Sequence, residues 1–165
     1  RRIGMIQPLT MPATVEERSA LYDIGCVGKI AEVEALDDGR YNLVLEGVAL
    51  FRVLRELDVT TPFRQIEAEL LPVRADETLS LGRRSSLEQE SRRFADAQGY
   101  AVDWDAVGRL DDESLVNGIA QIAPFDPAAK QTLLEADSLS DRSERIIQLM
   151  QIIGRIERDG GATLQ

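Results

Sequence analysis

The chain has 165 residues, 44% of them apolar, and 29 acidic against 19 basic side chains for a formal net charge of −10. That length suffices for one domain or two small subdomains with a proper core, while the acidic balance makes nucleic acid a poor partner, because such binding draws on Lys and Arg at the phosphates. No window approaches the roughly 18 consecutive apolar residues of a membrane span, no secretory signal pattern is seen, and the single cysteine, Cys26, forbids an internal disulfide or a Cys-based zinc cluster.

Divided at Ala75, the sequence holds 9 basic and 12 acidic residues before that point and 10 and 17 from it onward, so neither half is a basic module. A lone thiol fits a reducing cytosol. Arg1 to Gln7 reads as a short strand ended by Pro8, and Leu9 to Ser19 as an exposed loop. Gly25 to Val53 is predicted to form a long hairpin followed by a third strand. Before the turn the apolar face changes midway: Cys26, Gly28 and Ile30 look buried in the first half, Val33 and Ala35 in the second. A change of parity of this kind calls for a bulge or a strand passing between layers. Asp37-Asp38-Gly39 is the turn, with glycine supplying the positive φ that a tight hairpin needs. Tyr41, Leu43 and Leu45 then alternate with polar residues, Gly47 is expected to end that strand, and Val48 to Val53 to start another. In Phe63 to Leu71, the residues Ile66, Ala68 and Leu70 alternate with Gln65, Glu67 and Glu69, the pattern of a half-exposed strand. About five strands are expected in this half, enough for a small, partly open barrel.

From Asp76 the period becomes helical. Thr78 to Ala97 is predicted as a helix ended at Gly99. Asp103-Trp104-Asp105 opens a short one, and Asp111 or Asp112 caps the next, with Leu115, Ile119 and Ile122 on one face. Asp126-Pro127 is a strong start signal, since the carboxylate accepts from orphan amides and proline is tolerated at the first helical position. A last helix from Ser138 or Ser140 places Leu139, Ile146, Leu149, Ile153 and Ile156 at heptad-like spacing up to Gly160-Gly161, and Ala162 to Gln165 reads as a disordered tail.

Chemistry is sparse. The sequence has no histidine, which removes Ser-His and Cys-His activation and the commonest metal ligand. A Ser-Lys dyad would need Lys29, on a strand with no serine near it in sequence, or Lys130, in the first turns of a short helix. GCVGK at Gly25 to Lys29 lacks the spacing of a phosphate loop, and Ile30 stands where the magnesium-binding Ser or Thr belongs. Asp111-Asp112-Glu113 reads as a helix cap and not as a metal cluster, because consecutive helical residues do not converge. No catalytic residue, cofactor or metal site is assigned.

The segment LYDIGCVGKIAEVEALDDGRYNLVLEGVALFRV, Leu21 to Val53, closely resembles the hairpin of the Lon protease amino-terminal domain, the LON substrate-binding domain. LVNGIA at Leu115 to Ala120 and AKQTLLE at Ala129 to Glu135 resemble that family's helical half, in the right order. The resemblance implies an α+β fold: a PUA-like pseudobarrel over residues 1–74, lacking the family's first strand and helix, then an α-helical subdomain over 75–165 with a long carboxy-terminal helix. The opening RRIGMIQP leading into LYDIGCVGKI is closer to stand-alone bacterial LON-domain proteins than to a complete protease, and neither the ATPase nor the protease domain is present in the sequence. The implied function is non-catalytic recognition of unfolded or exposed-apolar polypeptide segments in the cytoplasm, linked to ATP-dependent proteolysis and to a protease or ATPase partner, without membrane or nucleic acid. The alternatives are an RNA-binding PUA-like module and a structural scaffold. Met5, Tyr22, Tyr41, Phe51, Phe63 and Trp104 are the candidate polypeptide-binding residues, being aromatic or adaptable side chains suited to an interface. Alternation nevertheless favours the core for Tyr41 and Phe51.

Overall fold

The computed structural model describes residues 1–10, 19–72 and 77–161, with side chains up to residue 156. Expectations for the loop across residues 11–18 and for the tail at 162–165 lie outside the described residues. The chain separates into two compact units, Arg1–Arg74 and Ala75–Gln165.

The first unit is an antiparallel sheet whose spatial order follows the sequence, β1 (Arg2–Met5), β2 (Ile24–Ala35), β3 (Tyr41–Glu56) and β4 (Ile66–Leu70). Four strands are present among the described residues where about five were expected, because Gly47 does not end a strand. The chain runs straight through it, and Val48 is accommodated as an extra residue between the pairs Gly28↔Gly47 and Val27↔Ala49. A bulge absorbs the irregularity that the sequence pattern presents as a break. The turn at the hairpin tip is as expected: Gly39 has φ +83°, its N–H donates to Leu36 O at 3.0 Å, and Leu36 N–H donates to Arg40 O at 2.8 Å.

A second bulge, at Ala31, lies between Ile30↔Leu45 and Glu32↔Val44. It resolves the change of apolar face. Residues paired across an antiparallel ladder share a face and alternate along each strand, so Tyr41, Leu43, Leu45 and Gly47 lie on one side with Ala35, Val33, Ile30 and Gly28. One extra residue thus restores a single apolar face where simple alternation would give two. The expected burial of Val33 and Ala35 is corrected, however: both are exposed. β1 pairs only with Cys26 to Lys29 and β4 only with Phe51 to Glu56, so beyond Ile30 and Leu45 the hairpin is a two-stranded arm. Among the described residues no third strand flanks it.

The opposite face forms the core of this unit at the base of the arm. Phe51 is 2% exposed, and glycines at 4 and 25 make room for its ring.

The second unit is α1 (Leu81–Gln98), α2 (Trp104–Gly108), α3 (Asp112–Ile122), α4 (Pro127–Leu134) and α5 (Leu139–Gly161). Side-chain caps set the starts. Ser80 accepts from Arg83 N–H, Asp103 from Asp105 and Ala106 N–H, Asp111 from Ser114 N–H, and Asp126 from Ala129 N–H, each satisfying orphan donors of a first turn. Gly99, at φ +72°, closes α1. Leu87, Phe94, Leu115, Val116, Leu133 and Ile146 centre the core. On α3 Leu115 and Val116 are buried, with Ala123 just beyond its end, Ile119 packs beside them, and Ile122, expected inside, is 83% exposed. On α5 Leu139, Ser143, Ile146 and Met150 form the buried line, Leu149 and Ile153 pack beside it, and Ile156, also expected on the stripe, is exposed.

Polar networks tie these helices together. Asp112 accepts from Leu79 N–H at 2.8 Å and from Arg84 Nη1 at 2.6 Å, while Arg84 also donates to Leu110 O and to Glu88. Arg142 of α5 donates to Leu133 O at 2.9 Å and to Asn117 Oδ1 at 2.7 Å, and Arg145 donates to Thr132 O at 2.8 Å. Thr132 O and Leu133 O, among the last carbonyls of α4 that a helix leaves unsatisfied, therefore accept from donors on α5.

Candidate functional site

The two lysines and the two aspartates weighed for chemistry in the sequence each have a partner. Lys130 Nζ donates to Gln121 O, a carbonyl near the end of α3, at 2.9 Å, and Lys29 faces Glu46 across the β2–β3 ladder at 3.9 Å. Asp111 caps α3, and its carboxyl is held below the ordinary range mainly by the N–H of Ser114. Asp112 is lowered in the same direction, first by the Leu79 N–H and then by Arg84. The described residues contain no group of three or more His, Cys, Asp or Glu arranged to hold a metal ion, and none of the described helices is long and apolar enough to cross a membrane. Cys26 is half-buried on the sheet, its thiol directed to Val27 O at 3.6 Å.

What the sheet offers instead is a surface. On the arm Val33 stands opposite Leu43 and Ala35 opposite Tyr41. Tyr41 is 65% exposed, Val33 58% and Leu43 44%. The apolar ladder continues towards the base through half-buried Ile30 and Leu45, then through the pair Gly28↔Gly47, to Cys26 and Leu50. β1 extends the same face sideways, since exposed Ile3 and Met5 pair with Gly28 and Cys26. The other side of the arm is mostly polar: Glu34 accepts from Asn42 Nδ2 at 2.9 Å, and one pair further on Glu32 stands opposite Val44, the exposed apolar residue on that side. An amphipathic two-stranded ribbon with its apolar side uncovered is unusual, because an isolated hairpin is marginal in water, and contiguous exposed apolar surface marks an interaction site.

The six residues singled out from the sequence fall in different places. Met5 and Tyr41 share the apolar face at its two ends, separated by nine residue steps of β2, about 25–30 Å at the usual strand rise. Tyr41 corrects the core reading, because alternation reports which side of a strand a residue occupies and not whether anything covers that side. Phe51 lies on the opposite face, sealed in the core, and is not available as an interface anchor. Tyr22 is half-buried beside an isolated bridge between Pro8 and Leu21, its N–H donating to Gln7 O at 2.9 Å. Phe63 is exposed in the β3–β4 connection. Trp104, in the helical unit, is half-buried with the Arg92 guanidinium 4.5 Å from its ring centroid, a cation–π contact that holds α2 against α1.

Val33 and Leu43 are the residues that sequence reasoning missed. Their signal lies in the alternation, which marks the side of a strand and not whether that side is covered. Within the helical unit an open groove of about 540 Å³ runs between α1 and α5, lined by Phe94, Ala97, Met150, Arg93 and Gln151 among others. Its mixed lining gives it less apolar character than the arm.

An antiparallel sheet followed by a five-helix unit is the architecture of Lon protease amino-terminal domains. The structure superposes on the "N terminal domain of Mycobacterium avium complex Lon protease" with a TM-score of 0.60 at 14% identity, covering 92% of this chain and 90% of that one. It superposes on a "Lon N-terminal domain protein from Xanthomonas campestris" with a TM-score of 0.61 at 15% identity, covering 90% and 89%. No curated protein matches the sequence. The family model for the "ATP-dependent protease La (LON) substrate-binding domain" matches residues 4–151, and the chain belongs to that family.

Proposed function

We propose that the chain is a non-catalytic polypeptide-recognition module, which engages unfolded or exposed-apolar segments in the cytoplasm and works with an ATP-dependent protease. The observation that carries this reading is the uncovered apolar face of the arm, Val33, Tyr41 and Leu43. Membership in a family described as substrate-binding supports it. The mechanism is burial of apolar client side chains against that ladder, with main-chain pairing to an edge of the arm as an addition, since strand edges accept extended peptides. Covering three side chains of this size contributes about 3–5 kcal/mol before the entropic cost of association, so binding is weak and broadly selective.

The test is a titration of the purified chain against unfolded and native forms of several model proteins, with RNA as a control. Binding confined to the unfolded forms and lost in a Tyr41→Ser/Leu43→Ser variant is the expected result. Equal binding of native forms, or of RNA in their place, would remove the proposal.

A further inference from the structure

Resting on the reading of this face as a polypeptide site, we infer that the arm selects apolar segments that carry lysine or arginine, and discriminates against acidic ones. Within Ile30 to Leu45 the charged residues are Glu32, Glu34, Asp37 and Asp38 and a single cation, Arg40; at the base of the arm Lys29 faces Glu46, and Arg1 and Arg2 lie beside it at the start of β1. Arg40 is committed: its side chain pairs with Asp38 at 2.7 Å through both Nε and Nη2, and its N–H donates to the other carboxylate oxygen at 3.1 Å. The Asp38 carboxyl is lowered chiefly by that side-chain bond, so the pair remains charged on both members and adds nothing to the balance. Away from the base, Glu32, Glu34 and Asp37 are left as a net negative rim on the outer part of the arm.

Geometry brings this rim within reach of an occupant. Two strands lie about 4.8 Å apart, so the arm is a narrow ribbon, and carboxylates on its polar side stand about a Debye length or less from a chain on its apolar side. An extended segment laid on Val33, Tyr41 and Leu43 can bury alternate apolar residues and bring intervening basic ones round the edges of the ribbon towards Glu32 and Glu34. A second copy of this chain is a poor occupant by the same logic: it would set one acidic rim against another, in a chain of net charge −10. The partner that fits is an apolar, basic polypeptide segment.

The experiment uses short labelled peptides with one common core of alternating aliphatic, aromatic and serine residues, flanked by Lys, Gln or Glu, titrated by fluorescence anisotropy. At low ionic strength the expected order is Lys tighter than Gln tighter than Glu, with roughly tenfold between the extremes. The spread should collapse near 1 M salt, where the Debye length is about 3 Å. Glu32→Gln/Glu34→Gln/Asp37→Asn should level the three affinities while leaving the Gln-flanked peptide bound. Tyr41→Ser/Leu43→Ser should weaken all three, with Val33→Ser as a second variant on the same face and melting curves to show that each is folded. If the three peptides bind equally well, yet depend on Tyr41 and Leu43, charge selection is overturned and polypeptide recognition stands. Absence of binding by every peptide, or binding indifferent to the face, overturns both. A concentration-dependent dimer abolished by Tyr41→Ser assigns the face to a second copy and also overturns the inference.

Discussion

The ring of Phe51 fills the space that a side chain at Gly25 would need: a Cβ built there falls within 3 Å of Phe51 Cε1 and 2.6 Å from the carbonyl oxygen of Met5. The two residues are directly paired on β3 and β2, so one of the pair must be a glycine for the other to be a buried phenylalanine. Gly25→Ala should therefore destabilise the sheet unit by about 2–3 kcal/mol, the range of an overpacked site with backbone on one side. Phe51→Ala should cost about 3–4 kcal/mol through the cavity it leaves. Urea unfolding followed by tyrosine fluorescence would measure both, and a neutral Gly25→Ala would mean that β1 yields more readily than its pairing suggests.

Glycine has a different role at the tip of the arm. At Gly39 nothing lies within 4 Å of a built Cβ, yet φ is +83°, so Gly39→Ala should cost about 1–2 kcal/mol from conformation alone. Gly118, in mid-helix on α3 with equally open space, should behave in the opposite sense, and alanine there should stabilise by about 0.5–1 kcal/mol. Thermal melts of the two variants should move in opposite directions.

Asp112 links α3 to the start of α1 and sets a dependence on pH. Its carboxyl is lowered first by the Leu79 N–H and then by Arg84, which means that the folded state favours the ionised form. Its contribution is therefore fully present above the unfolded carboxylate value near 3.9 and is lost as pH falls through the lower folded value. Asp112→Asn should cost about 1–2 kcal/mol at neutral pH, and its deficit relative to the parent should shrink below about pH 4. Denaturant titrations of both proteins across that range would expose a flat deficit, which would rule out the ionised carboxyl as the cause.

Arg142 is a joint between three helices, donating to Leu133 O on α4 and to Asn117 on α3. Arg142→Met keeps the aliphatic stem but removes both guanidinium bonds, at an expected cost of about 1–3 kcal/mol. Lysine, with no planar fork, should recover only part of that loss. Full recovery by lysine in chemical denaturation would show that position of charge, and not the two directed bonds, holds the joint.

The exposed ladder should be nearly silent in stability. Tyr41→Ser and Leu43→Ser are expected to change unfolding free energy by no more than about 0.5 kcal/mol, as for surface positions generally, while reducing capture of unfolded protein. A large loss of stability accompanying the loss of binding would instead identify these side chains as structural.

Local chemistry, which acts over a few residues, was legible in the sequence by itself. Asp38-Gly39 specifies a tight turn because few other pairs reach positive φ there, Asp111 and Asp126 specify helix starts because their carboxylates satisfy adjacent amides, and Gly99 specifies a helix end. The resemblance of Leu21 to Val53 identified the family. Coverage was not legible, because whether a face is buried depends on chain that arrives from elsewhere. Tyr41 and Phe51 both obey strand alternation, yet one is bare and the other sealed, since the bulge at Val48 sets them on opposite faces of the sheet. The same holds for Gly47, which a bulge at Val48 carries through the strand, and for Ala31, whose bulge returns Val33 to the face of Ile30. Register across strands is set by pairing between distant segments, and only the tertiary structure decided it.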